Sequence, residues 1–341
     1  MKKEMITTAS LKLDWVHLLE KSVYKWRFIL GPLFLGLLIS LPFFGLNSFH
    51  LRTIIIIGIF IILALGLNIL IGYTGLVSLG HAGFFAIGAY TSVILMMRFD
   101  VRFLISLLAG AAISGVVGLL LGIPSLRLSG SYLTIVTLGF GEVVRLVIMS
   151  WTTVTNGTLG IMGIPRPNFF GMELNLANNG FYYLTLITVL TVTLACYLLV
   201  NSKIGRAFRA IKEDEVAAGM MGIKTTHYKV LAFVVSAFIT GIAGAIYAPI
   251  LGFMDQNTFD FDVSILILSI VIVGGMGTLR GMFLGAILLI SFPEMARFLM
   301  NWRFVVYGLL LIVMMRFRPN GLLGWQSRLP YRRALESEQT T

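Results

Sequence analysis

Two ionisable residues, Glu142 and Arg145, stand three positions apart inside the apolar stretch 131–150. On a helix that spacing brings the two side chains within reach of each other. Charges inside a membrane-length apolar run are costly, so this pair is expected to face the interior of a helix bundle. Two roles are open to it: a structural ion pair, or a contact for the two charged ends of a zwitterion. Glu294 and Arg297 repeat the spacing late in the chain. Of the four histidines (His17, His50, His81 and His227), only His81 falls within an apolar run. A proton or ligand role and a purely structural one are both open to it.

Covalent chemistry has little to work with. The chain has no G-x-x-x-x-G-K-[ST] loop for nucleotide phosphates, no H-E-x-x-H, no G-x-S-x-G and no cysteine cluster. Its single cysteine, Cys196, lies in an apolar run and reads as a small buried hydrophobe. No catalytic residue, no metal ligand set and no cofactor site is expected, and the chain does not read as an enzyme.

The densest polar stretch is 202–223. Gly205, Arg206 and Arg209 precede Glu213, Asp214 and Glu215, and Ala217, Ala218 and Gly222 follow. Helix-forming residues with apolar positions at Ala207, Phe208, Ile211 and Val216, ended by Gly222, predict an amphipathic helix over about 205–222. Its apolar face suits either another protein's groove or the membrane surface. Glycines crowd two other places: Gly72, Gly75, Gly80, Gly83 and Gly88 around His81, and Gly274, Gly275, Gly277, Gly281 and Gly285. Glycine costs a helix about 1 kcal/mol against alanine, so helix stability is not its purpose there. Close helix packing and helix breaks that line a pathway both remain open.

The elements that must hold these residues are membrane helices. The chain of 341 residues is 57% hydrophobic and 12% charged, with a mean hydropathy of +0.92, far from the roughly 25% charged residues of a soluble domain. About ten apolar runs occur, near 28–46, 53–72, 80–97, 103–122, 131–150, 181–200, 230–251, 262–279, 282–299 and 303–316; the last is short, and within the glycine-crowded 262–299 a re-entrant segment is an alternative to a full span. None alternates in the manner of a barrel strand. The fold class is all-α, a polytopic transmembrane helical bundle. The net charge of +11 comes from basic residues in the first 27 positions, around 203–229 and after 316. That pattern fits cytoplasmic loops and tails rather than nucleic acid. Both termini are therefore expected inside, with 151–180 and 252–261 outside. The expected organisation is a tail at 1–27 with a possible interfacial helix, one membrane domain over 28–324, and a tail at 325–341. Acidic residues among the first basic ones argue against a cleaved signal peptide.

Glu215-x-Ala217-Ala218-x-x-x-Gly222 resembles the E-A-A-x-x-x-G signature of bacterial importer permeases. The stretch 72–90, the Pro124-Ser125-Leu126-Arg127-Leu128 segment, the glycine-rich 155–165 loop, Gly274-Gly275-Met276-Gly277-Thr278 and Phe317-Arg318-Pro319-Asn320-Gly321-Leu322 are similar, in order and spacing, to the LivM-type branched-chain amino acid permease family. Arg280 departs from the pattern, standing where small or apolar residues are common. The resemblance implies a permease subunit of an ATP-binding-cassette importer in the bacterial inner membrane. It implies that 205–222 is the coupling helix that docks into an ATPase. The implied partners are a homologous LivH-type permease subunit, two cytoplasmic ATPase subunits that bind and hydrolyse the ATP, a periplasmic or lipid-anchored solute-binding protein, and membrane lipid. Branched-chain amino acids are the implied solute, with urea or short amides as alternatives. A secondary transporter driven by an ion gradient is the competing class, and it would be expected to carry more acidic residues within its spans.

Overall fold

A computed structural model of the protein describes residues 36, 39–44, 47–125, 130–169, 172–174, 179–295, 303–318 and 321–323. The expected interfacial helix within 1–27, most of the first apolar run, Arg127, Arg297, Pro319, Asn320, the side chain of Glu294 and the tail 325–341 lie outside the described residues. The chain divides into two compact units, 1–51 and 52–341. The described part of the first contains the 3-10 turn Leu41–Phe44 and the beginning of a helix at Ser48.

The second unit is a bundle of helices, and the chain is an all-α polytopic protein. Helix α1 (Ser48–Asn68) runs into a π-helical turn, Ile69–Thr74. There follow α2 (His81–Phe99), α3 (Phe103–Ser125), α4 (Ser131–Ser150), α5 (Gly180–Asn201), α6 (Lys203–Glu213), α7 (Glu215–Met220), α8 (Thr225–Leu251), α9 (Phe261–Gly274), α10 (Leu279–Met295) and α11 (Arg303–Phe317). Among the described residues seven helical stretches are long and apolar enough to cross a membrane: 48–74, 81–99, 103–124, 131–150, 180–201, 225–251 and 256–274. Helices α10 and α11 are shorter.

Burial follows apolar pattern. Helix α1 is apolar on all sides and forms the centre: 89% of its most apolar stretch is buried, against 17% for α4. Helix α8 packs along α3 and α2. The crossing is close because glycines meet. A Cβ on Gly88 would run into the backbone of Gly241, and one on Gly244 into that of Phe85. Such small-residue contacts let helices approach where lipid supplies no hydrophobic drive.

The loops sort to two ends. At one end, strand β1 (Ile161–Met162) pairs antiparallel with β4 (Phe253–Met254), joining the 151–179 and 252–260 loops. Strands β2 (Asn168–Phe169) and β3 (Met172–Glu173) form a second small pair within the first of those loops. Arg98, at the end of α2, donates to the carbonyls of Thr153 and Val154 at the same end. At the other end the turn after α1, the 202–224 loop and the 275–278 turn come together. Leu322 and Leu323 also return there, donating to the Val273 and Gly274 carbonyls.

Candidate functional site

The 202–223 stretch holds two helices, not the single helix expected over 205–222. The break falls at Asp214. Its backbone is extended, closing α6, and its carboxylate accepts from the Val216 and Ala217 N–H groups at 2.8 and 3.0 Å, opening α7. An aspartate that caps a new helix outcompetes continuation of the old one. Ser202 opens α6 in the same way, accepting from Ile204 N–H at 3.1 Å. The far end of α7 is a Schellman turn. Ile223 N–H donates to Ala218 O and Gly222 N–H to Gly219 O, with Gly222 at φ +83°. Glycine suits that left-handed position, and no atom lies near enough to crowd a side chain there.

The apolar faces of the two helices have different destinations. Ala207, Phe208 and Ile211 of α6 are buried within this chain, Phe208 completely and edge-on to Tyr228. They do not form the outward face expected of them, because the π-turn after α1 and the start of α8 already cover them. Gly205 fits tightly against the Val200 backbone, and Arg209 donates to the carbonyls of Val200 (2.8 Å) and Gly205 (3.3 Å), fastening α6 to the end of α5. Helix α7 turns outward instead: Val216 is 68% exposed, and Met220 and Met221 are each 83% exposed. Arg206, Glu213 and Ala217 are exposed, while Ala218 is buried beneath them. Glu215 forms an ion pair with the buried Lys229 of α8.

Lys212, which sequence reasoning did not single out, reaches from α6 to the Gly72 carbonyl at 2.8 Å. Partial burial lowers its pKa below the ordinary lysine value, opposed by the charge of Glu213. Asn68 accepts from Gly277 N–H at 2.8 Å and donates to the Thr278 carbonyl at 3.3 Å. Gly72 lies where a Cβ would strike the Asn68 amide and the Gly277 nitrogen, so only glycine fits. Gly75 ends the π-turn at φ +74°, and the α9–α10 turn passes through Gly275 and Gly277, at φ +114° and +82°. Arg280 is exposed just past that turn.

Deeper in the bundle, His81 is wholly buried between α2, α8 and α1. Ser236 donates to the Gly66 carbonyl at 2.7 Å, so its oxygen accepts from His81 Nε2 at 2.8 Å. His81 Nδ1 is then left to accept from Ser78, 3.4 Å away. Every polar atom of the imidazole is engaged with protein. Gly80 and Gly83 nearby pack against the α4 backbone, around Thr137 and Gly141, and Gly274 packs against Gly281.

Glu142 and Arg145 meet with Oε1 and Nη2 2.6 Å apart, and Arg145 Nη1 also lies 3.5 Å from Asn257 Oδ1. Their side chains are 43% and 30% exposed, not enclosed in the bundle interior. The reason is the position of α4, which the described residues leave largely uncovered. Among the described residues no group of three or more His, Cys, Asp or Glu side chains is placed to hold a metal.

The model of a family described as the permease component of branched-chain amino acid transport systems matches residues 49–315. The chain is 38% identical over 287 residues to the high-affinity branched-chain amino acid transport system permease protein LivM of Salmonella typhimurium, covering 78% of this chain and 68% of that protein. The figures for LivM of Escherichia coli are the same. LivH of Salmonella typhimurium is 21% identical over 282 residues, covering 77% of this chain and 90% of that one. No solved structure matches. A match over most of the membrane region, on a bundle of this kind, makes the chain a member of the branched-chain amino acid transport system permease family.

Proposed function

We propose that the chain is a transmembrane permease subunit of a bacterial ATP-binding-cassette importer of branched-chain amino acids, forming half of the solute pathway. The observation that carries this reading is the outward face of α7. Val216, Met220 and Met221 stand exposed on a helix held from behind by the Asp214 cap, the Glu215–Lys229 pair and the Schellman turn. A short rigid helix offering methionines is suited to seat in a partner's groove. The occupant is the ATPase subunit of the importer. Nucleotide is bound and hydrolysed there, and this chain supplies positioning and no covalent step.

The end that carries α7 is cytoplasmic, in keeping with Lys203, Arg206, Arg209, Lys212, Lys224 and Lys229 in its loops. With the segment 28–46 and helices α10 and α11 counted, the chain crosses the inner membrane ten times and both termini are cytoplasmic. The opposite end, built on the β1–β4 pair, receives solute from a periplasmic or lipid-anchored binding protein. A homologous LivH-type subunit covers α4, which takes the half-exposed Glu142–Arg145 pair out of contact with lipid.

Vesicles reconstituted with this chain, a LivH-type subunit, the ATPases and the binding protein test the reading. Leucine uptake that requires internal ATP is expected. Uptake by this chain alone, driven by an ion gradient, would overturn it. Uptake of urea or a short amide in place of leucine would change the solute and leave the importer class intact.

A further inference from the structure

We infer that Lys212 is a positioning residue that ties the loop helices to the helix break of α1, and that this tie carries movement at the ATPase contact into the membrane region. The inference rests on the importer reading above. Arg209 fastens α6 to the end of α5, whereas toward α1 and α8 the grip of α6 is largely apolar, through Ala207, Phe208 and Ile211. Contacts of that kind have no direction and allow sliding. The bond from Lys212 Nζ to Gly72 O has direction, and its acceptor sits inside the π-helical turn Ile69–Thr74. Carbonyls in the last turn of a helix lack intrahelical partners, and π-helical turns occur often at functional sites.

The joint continues past Gly72. Asn68, one turn back in α1, uses both halves of its amide on the 275–278 turn, holding Gly277 N–H and Thr278 O. Gly72 and Gly277 are packed so closely that a side chain on Gly72 would strike the Gly277 nitrogen, and one on Gly277 would crowd the Gly72 carbonyl. Three segments far apart in sequence therefore meet on one glycine: α6 through Lys212, α1 through Gly72, and the α9–α10 turn through Asn68. A displacement of α6 either breaks the Lys212 bond or drags both helix breaks with it. In this account it drags them.

The test is the ratio of leucine imported to ATP hydrolysed in the reconstituted importer, at matched amounts of assembled complex. Lys212→Met keeps the apolar stem and removes the donor. A bond from a charged donor sets a scale of about tenfold, so the ratio is expected to fall by about that factor while ATP hydrolysis continues. Lys212→Arg, which restores a donor, is expected to recover most of the ratio. Asn68→Ala is expected to lower it too, and the double variant to lose less than the two single losses combined, because both act at one joint. A merely structural lysine would alter the yield of complex and not the ratio. An unchanged ratio in Lys212→Met overturns the inference. Should that variant fail to assemble, an unchanged ratio in Asn68→Ala, which leaves α6 intact, overturns it equally. Met220→Cys crosslinking to the ATPase in the otherwise native importer separates the two readings: its failure removes the importer reading and this inference with it. Crosslinking with an unchanged ratio removes this inference alone.

Discussion

Glu215, at the first position of α7, is ion-paired with Lys229 in the second turn of α8. The acidic residue of the Glu-x-Ala-Ala segment thus holds the loop onto its own bundle, leaving Val216, Met220 and Met221 to face outward. Lys229 is buried while Glu215 is about half-exposed. Losing the glutamate should cost more than breaking an exposed pair, about 0–1 kcal/mol, and less than breaking a fully buried one, about 3–5 kcal/mol. Glu215→Ala is expected to insert normally and to lose most leucine uptake while ATP hydrolysis persists. The Glu215→Lys, Lys229→Glu double variant is expected to regain part of it. Uptake and ATPase assays on matched vesicles check this, and normal uptake by Glu215→Ala would count against it.

Gly222 tests the backbone alone, since nothing lies near enough to clash with a methyl group there. At φ +83° a non-glycine residue pays roughly 1–2 kcal/mol. Gly222→Ala is expected to loosen the end of α7, seen as faster proteolysis at 220–224 and reduced uptake. Gly222→Asn, which tolerates the left-handed region better, is expected to stay closer to the native protein. Equal behaviour of the two would show that the turn geometry does not matter.

The Glu142–Arg145 pair is largely satisfied within itself, through several bonds between the guanidinium and the carboxylate. Glu142→Gln and Arg145→Gln singly each leave one charge without its partner and are expected to reduce the yield of inserted protein. The double variant is expected to recover yield and to import leucine near the native rate. Full insertion with abolished uptake in the double variant would make the pair a solute contact.

Ser236 completes the chain from Gly66 O to His81. Ser236→Ala leaves a buried imidazole N–H and a backbone carbonyl without that partner, at a cost of about 1–3 kcal/mol. Thermal unfolding in detergent should move down by several degrees. An unchanged transition would mean that both groups find other partners.

The sequence is a good guide to this bundle wherever the signal is local. Apolar runs of bilayer length mark α1 to α5, α8 and α9 because a membrane helix must be apolar along its whole length. The three-residue spacing of Glu142 and Arg145 brings them together for an equally local reason. What escapes is long-range. Lys212 and Gly72 lie 140 positions apart, and Asn68 and Gly277 lie 209 apart, with no pattern in either stretch to connect them. The division at Asp214 is hidden because residues on both sides are good helix formers, and only the carboxylate's own hydrogen bonds decide it. Nor does periodicity tell whether an apolar face such as that of α6 is buried in its own chain or offered to another. Both cases give the same spacing of Ala207, Phe208 and Ile211.

The most direct measurement is site-specific crosslinking from Met220→Cys and, as a control, from Leu159→Cys in the loop at the opposite end, in membranes containing the assembled importer. Both native residues are strongly exposed in this chain. An adduct with the ATPase subunit is expected from position 220, altered in yield by ATP, and none from position 159. An α7 that stays unlinked under every nucleotide condition, in membranes where uptake is active, would contradict the proposed docking.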